Sequence, residues 1–274
     1  MAPEPSTPQG SSAKVLIAVG VVCLGAMGLA VAAALGAGDG DSTSSTSSST
    51  ASSAPTTGTL PGDGPGPTFS EGTPVDVPLV AAGATMTGET PCPAEDGSSP
   101  RTTTFENAPP LCIDAELDYR ATIRTDQGDL VLLLSPERGV QSVNNFVVLS
   151  RYHYYDGMAM NGALSRSHVQ FGAAIEGSDT ADPPGYRVPN EAVATVYTPG
   201  TIGFVPGTDG TSGAEFFLTT YDKSADLPVL STFGIMLDGA DTLSAMDQLG
   251  TEAGQPSGVL TIESISVEPV DLDG

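Results

Sequence analysis

The sequence predicts a mainly β domain with two short helices, carried by residues 117–270 of the 274-residue chain. Three observations lead there. After Gly157, short apolar segments (VQFGAAI, TIGFV, AEFFLTT, TFGIML) alternate with turns that carry Gly and Pro. Tyr119 to Leu134 reads as a hairpin, and helical spacing occurs only around Val143 and around Leu243.

In chain order, YRATIRTDQGDLVLLL alternates up to Thr125, turns at Asp126-Gln127-Gly128 and continues as an apolar strand. Next, Val143, Phe146, Val147 and Ser150 recur on one helix face, with Ser142 at the expected N-cap and Asp156-Gly157 as stop and turn. Asp-Pro-Pro-Gly, Tyr-Thr-Pro-Gly and Gly-Thr-Asp-Gly punctuate the segments that follow, a pattern of a small antiparallel barrel or sandwich. A second helix fits Ala240 to Leu249, where Leu243, Met246 and Leu249 share a face and Gly250 ends it. The last strand, GVLTIESISVEPV, alternates with one change of phase near Ser264.

Upstream, residues 1–13 form a polar tail on the cytoplasmic side. Residues 14–38 follow as an anchor: Val15 to Gly38 is uncharged and meets the ~20 residues that a helix needs to cross a bilayer. Its length favours an uncleaved span over a signal peptide, while the small-residue end AVAAALGAG keeps cleavage open. Lys14 and the amino terminus before it, against Asp39 and Asp41 after it, place the C-terminal part outside a cell membrane crossed once. Residues 39–74, rich in Ser, Thr, Gly and Pro, read as a disordered tether, and residues 75–116 as an extended arm.

The balance of 9 Lys and Arg against 33 Asp and Glu, a net charge of -24, argues against nucleic acid and anionic lipid as partners. Cys92 and Cys112, outside the membrane, meet an oxidising compartment, and a disulfide follows; Cys23 is locked in the span. No metal centre is expected from two Cys with no His nearby, and no cofactor from any motif.

Taken together, VNNF at Val143–Phe146, YYDG at Tyr154–Gly157, Gln170, PGY at Pro184–Tyr186 with Glu191 after it, PGTIGF, SGAEFFLTT and TFGIMLDG resemble the cyclophilins. The resemblance covers most of residues 117–270 and implies a closed eight-stranded antiparallel β-barrel with a helix over each end. Anchor, stalk, Cys pair and barrel are together similar to membrane-anchored actinobacterial members. It implies peptidyl-prolyl isomerase chemistry on proline-containing segments of exported proteins.

That chemistry must break amide resonance, a barrier of about 18–20 kcal/mol. An apolar pocket and a donor to the prolyl nitrogen suffice, because the lone pair becomes available only in the twisted state. The resemblance implies an Arg donor in a Phe-His-Arg motif, but those positions hold Met160, Asn161 and Gly162. Ser167 and His168 stand where Phe and Met are expected, Val205 and Pro206 in place of Ala-Asn, and Glu215 in place of Gln. Gln170, Phe217 and Leu227 remain of the groove, with Leu230 or a neighbour where an aromatic or His wall is common.

Arg166 is the nearby candidate donor, at a position where the family has the Gly of a turn; an exposed Arg is the plainer alternative. His168 either faces the pocket, making it pH-sensitive, or is a structural His. Glu215 either faces the groove or pairs with an Arg, since a buried lone carboxylate is costly. The expectation is a catalytically impaired binding module for proline-containing peptides or proteins; the alternative is an isomerase for exported proteins. A third possibility makes the barrel structural and gives the contacts to the arm.

Overall fold

The computed structural model describes residues 72–173, 175–176, 183–191, 197–207, 209–222 and 230–270, all within the unit Gly64–Gly274. The expected cytoplasmic tail, the 15–38 span and nearly all of the tether lie outside these residues. Among the described residues no helix is long and apolar enough to cross a membrane.

The arm contributes β1 (Ala84–Met86) and β2 (Thr102–Phe105), paired in parallel. The hairpin follows as β3 (Asp118–Thr125) and β4 (Gly128–Leu134), in register from Tyr119↔Leu134 to Thr125↔Gly128. Gly128 takes φ +125°, a left-handed value that favours glycine, and the Thr125 hydroxyl donates to its carbonyl oxygen at 2.6 Å. After α1 (Pro136–Arg151) come β5 (Gly162–Leu164), β6 (His168–Phe171), β7 (Arg187–Val188), β8 (Ile202–Gly207), β9 (Gly210–Thr219) and β10 (Thr232–Asp238). The helix α2 (Ala240–Gln248) and β11 (Ile262–Val270) complete the chain, and β11 carries its register shift between Ile262 and Ser264, at the expected change of phase.

Two expectations are corrected. The nine-stranded sheet runs β11-β3-β4-β10-β8-β9-β6-β5, with β7 beside β9, and is curled but open instead of a closed eight-stranded barrel. The segment before β5 meets the start of β11 without forming a strand ladder: the bridge Ala159↔Thr261 is flanked by hydrogen bonds between Gly157, Met158 and Ile262 and from Met160 N–H to the Leu260 carbonyl. The outer edge of β5 is already taken: Ala163 N–H donates to the Gly254 carbonyl, and Thr251 N–H donates to the Ala163 carbonyl. With those groups satisfied, β5 has no ladder left to offer β11.

The second correction concerns the helix start. α1 begins at Pro136, with Pro in the first turn where its missing N–H costs nothing. The helix breaks at Gly139 (φ -179°, ψ 89°), so the N–H groups of Gln141 and Ser142 need partners. Glu191 supplies them: its carboxylate accepts both N–H groups, at 2.9 and 2.8 Å, and the Ser142 hydroxyl at 2.7 Å. Ser142 is thus a buried donor inside a helix capped from 49 residues away, not its own N-cap.

The core sits between α1 and the sheet. Phe146 meets Phe216 edge-on at 5.4 Å and also contacts Tyr155 and Phe233; Phe171 stacks on Phe216 at 5.5 Å. Burying one such ring contributes about 2–3 kcal/mol. Cys92 and Cys112 form the expected disulfide. The arm docks on α1 and not in the groove: Asn144 accepts the Cys112 N–H and donates to Pro110 O, and the Tyr152 hydroxyl donates to Pro91 O.

Candidate functional site

Strand register alone lines up the groove. Gly162 on β5 faces Gln170 on β6, which faces Phe217 on β9, which faces Gly203 on β8. Directly paired residues project to one face, so two glycines flank a glutamine and a phenylalanine in a single row.

Each glycine admits its neighbour's side chain. A Cβ at Gly203 would stand 2.7 Å from the Phe217 ring, so that ring lies over Gly203. A Cβ at Gly162 would stand 2.8 Å from Gln170 Oε1, so Gln170 has folded into the space over the glycine. The Gln170 amide nitrogen lies 3.1 Å from His168 Nε2, and the Ser167 hydroxyl 3.0 Å from His168 Nδ1. An amide nitrogen only donates, so in this arrangement Nε2 is the acceptor of the Gln170 contact. His168 is buried and packs edge-on to Phe217 at 6.3 Å.

The apolar half of the groove is buried at its expected floor. Phe217 is only 3 % exposed and forms one buried cluster with Tyr197 and Leu230. The Leu230 N–H donates to the Tyr197 hydroxyl at 2.8 Å, tying these two residues together. Sequence reasoning took Tyr197 for a turn residue in Tyr-Thr-Pro-Gly; its aromatic ring beside a Gly-rich strand was the available signal.

The polar half is open. Asn161, Gln170 and Glu215 are each of intermediate exposure. Glu215 lies two residues from Phe217 on β9, hence on the same face, and its Oε1 is 3.5 Å from the Asn161 amide nitrogen. Asn161 was noted only as a position of the altered motif; its partnership with Glu215 needed the fold.

Arg166 sits on the turn between β5 and β6 with φ +54°, the left-handed conformation that suits the expected glycine position. Its N–H donates to Asp247 Oδ1 at 2.9 Å, and Thr220 donates to the same oxygen at 2.6 Å. The exposed Arg166 guanidinium lies over the Tyr221 ring, 5.1 Å from its centroid. Gln170 lies four positions further on, beyond the turn residue Ser167 and the first two residues of β6, at most about 13 Å along the chain. Val205 stands at the register shift of β8, and Leu227 lies outside the described residues.

Titration is perturbed behind the groove. Burial, with the Glu215 charge added, pushes the Tyr154 hydroxyl well above the usual tyrosine range. Tyr154 donates to Gly172 O and stays neutral there.

Comparison with known proteins agrees with this fold. A peptidyl-prolyl cis-trans isomerase of Helicobacter pylori is 30% identical over 135 residues, covering 47% of this chain and 78% of the relative. The Gallus gallus peptidyl-prolyl cis-trans isomerase-like 3 is 28% identical over 132 residues, covering 47% and 81%. A Cryptosporidium parvum cyclophilin type peptidyl-prolyl cis-trans isomerase superposes with a TM-score of 0.50 at 20% identity, over 57% of this chain and 99% of its own. Residues 120–267, more than half of the chain, match the family described as cyclophilin type peptidyl-prolyl cis-trans isomerase/CLD, and the chain belongs to that family.

Proposed function

We propose that this cyclophilin-type domain binds protein segments without turning over their X-Pro bonds at a useful rate. One observation carries this: Phe217, the expected floor of the proline pocket, is 3 % exposed and packed in one buried cluster with Tyr197 and Leu230. Gly162 adds to it, since glycine offers no side-chain donor where the resemblance implies an Arg. Losing one oriented donor typically removes about 10²–10³ in rate. The domain acts outside the cell membrane, tethered through residues 15–38, and takes proline-containing or other segments of exported proteins as partners. The Cys92–Cys112 disulfide supports that placement, because such bonds persist in oxidising compartments.

Titration of the full-length chain, held in detergent, with Ala-Pro-containing peptides tests this by calorimetry alongside a cis–trans exchange spectrum. Saturable binding with no added exchange is the expected result. The rival, a working isomerase, is favoured by family membership and would show exchange above the uncatalysed level.

A further inference from the structure

We propose that residues 108–111 of the arm are a ready-made ligand: an extended Ala-Pro-Pro-Leu stretch that docks into an aromatic-lined, basic-rimmed groove of a separate protein. The proposal concerns the arm and not the groove, and it stands independently of the function proposed above.

Four apolar residues stand in a row at the surface. Ala108, Pro110 and Leu111 are exposed and Pro109 is half-buried, with Leu111 55 % exposed. Folded surfaces avoid such runs unless they are used. The backbone conformation follows from the residue types. Proline fixes its own φ near about -65° and disfavours the helical region in the residue before it, so Ala108 and Pro109 are held extended, as in a polyproline II helix. The stretch forms neither helix nor strand, and both of its X-Pro bonds are trans.

It is also pinned at both ends. On the N-terminal side the buried Thr90 hydroxyl donates to the Asn107 carbonyl at 2.6 Å, and the Asn107 amide donates to Gly88 O at 2.8 Å. On the C-terminal side the buried Asn144 of α1 donates to Pro110 O and accepts the N–H of Cys112, itself held by the disulfide. The carbonyls of Ala108 and Pro109 receive no donor among the described residues. A pre-set segment of this kind loses little conformational freedom on docking, which is why Pro-rich segments suit aromatic grooves. Charge defines the rest of the partner. Glu106, Asp114 and Glu116 flank the stretch, all exposed, and no Lys or Arg occurs between Arg101 and Arg120. A basic rim complements that surface.

The test uses the full-length chain in detergent and a panel of SH3 and WW domains, each made with lysines or with glutamates at the rim of its groove. Calorimetry should show saturable binding of at least one lysine-rimmed domain, tighter than that of its glutamate-rimmed counterpart. Leu111→Ala and Pro109→Ala should each weaken it about tenfold, Leu111→Ala with the melting temperature unchanged. A free peptide of residues 106–111 should also bind about tenfold more weakly than the chain, because nothing pins its extended form. No binding by any domain of the panel overturns the proposal. Binding that survives both substitutions overturns it as well, as does equal binding by the two rim types or a free peptide as tight as the chain. Dimerisation of the parent, seen by sedimentation and abolished by Pro109→Ala, overturns the separate partner by assigning the stretch to a second copy of this chain.

Discussion

The Tyr197 hydroxyl accepts the backbone N–H of Leu230 at 2.8 Å, and the two residues form one buried cluster with Phe217. Residues 33 positions apart in sequence are thus joined beside the expected floor of the proline pocket. Leu230→Ala should loosen this cluster at a cost of about 2–3 kcal/mol in stability. Affinity for an Ala-Pro peptide should rise at the same time, measured by calorimetry. Unchanged affinity in a folded variant would mean that this packing does not limit access.

Glu191 satisfies the broken start of α1 with three hydrogen bonds, one of them a side-chain contact to Ser142. Glu191→Ala leaves the N–H groups of Gln141 and Ser142 without their acceptor and should cost about 2 kcal/mol. A melting temperature lowered by several degrees checks this, and Glu191→Gln, keeping one acceptor, should lose less.

The Cys92–Cys112 bond closes a segment of sequence separation 20 and pins the arm near Asn144 and Tyr152. Cys92→Ser with Cys112→Ser should destabilise the domain by about 3 kcal/mol in the chain-entropy view. Proteolysis of the 92–112 loop should speed up in step, and an unchanged digestion rate would show that docking on α1 alone holds the arm.

Alkaline pH should unfold the domain through its buried tyrosines. Burial raises the hydroxyls of Tyr154, Tyr155 and Tyr186 well above the ordinary tyrosine value. An acid whose folded pKa is raised gives up its proton first in the unfolded chain, so the unfolded state binds fewer protons above about pH 10. Stability is therefore fully present below pH 10 and falls as pH rises, by up to about 1.4 kcal/mol per pH unit for each tyrosine. Tyr154→Phe should flatten the slope of a denaturation series between pH 9 and 11 by one tyrosine's share; an unchanged slope would count against this source.

Local signals carried much of the fold. The Asp126-Gln127-Gly128 turn, the second helix and the change of phase near Ser264 are written in short-range pattern, and the structure holds them within a residue or two. The start of α1 was misplaced because Ser142, a good cap by type, sits after a break whose acceptor comes from Glu191, far along the chain. The open sheet was hidden for a similar reason: residues 251–254 occupy the edge of β5 without any strand pattern of their own. At the groove, residue identities were legible from Gly162 to Phe217. The packing of Tyr197 with Phe217 and the contact of Asn161 with Glu215 depend on tertiary placement and were not.

The most direct test is the isomerisation rate of an Ala-Pro peptide with the full-length chain in detergent, measured beside Arg166→Ala and Gly162→Arg. The buried Phe217 and missing donor predict no acceleration in the parent or in Arg166→Ala. Gly162→Arg must displace the Gln170 side chain, whose Oε1 lies 2.8 Å from the new Cβ position, so it should restore only a small part of the activity. Clear acceleration in the parent that disappears in Arg166→Ala would contradict this, placing the donor on the turn over Tyr221 and making the domain an enzyme.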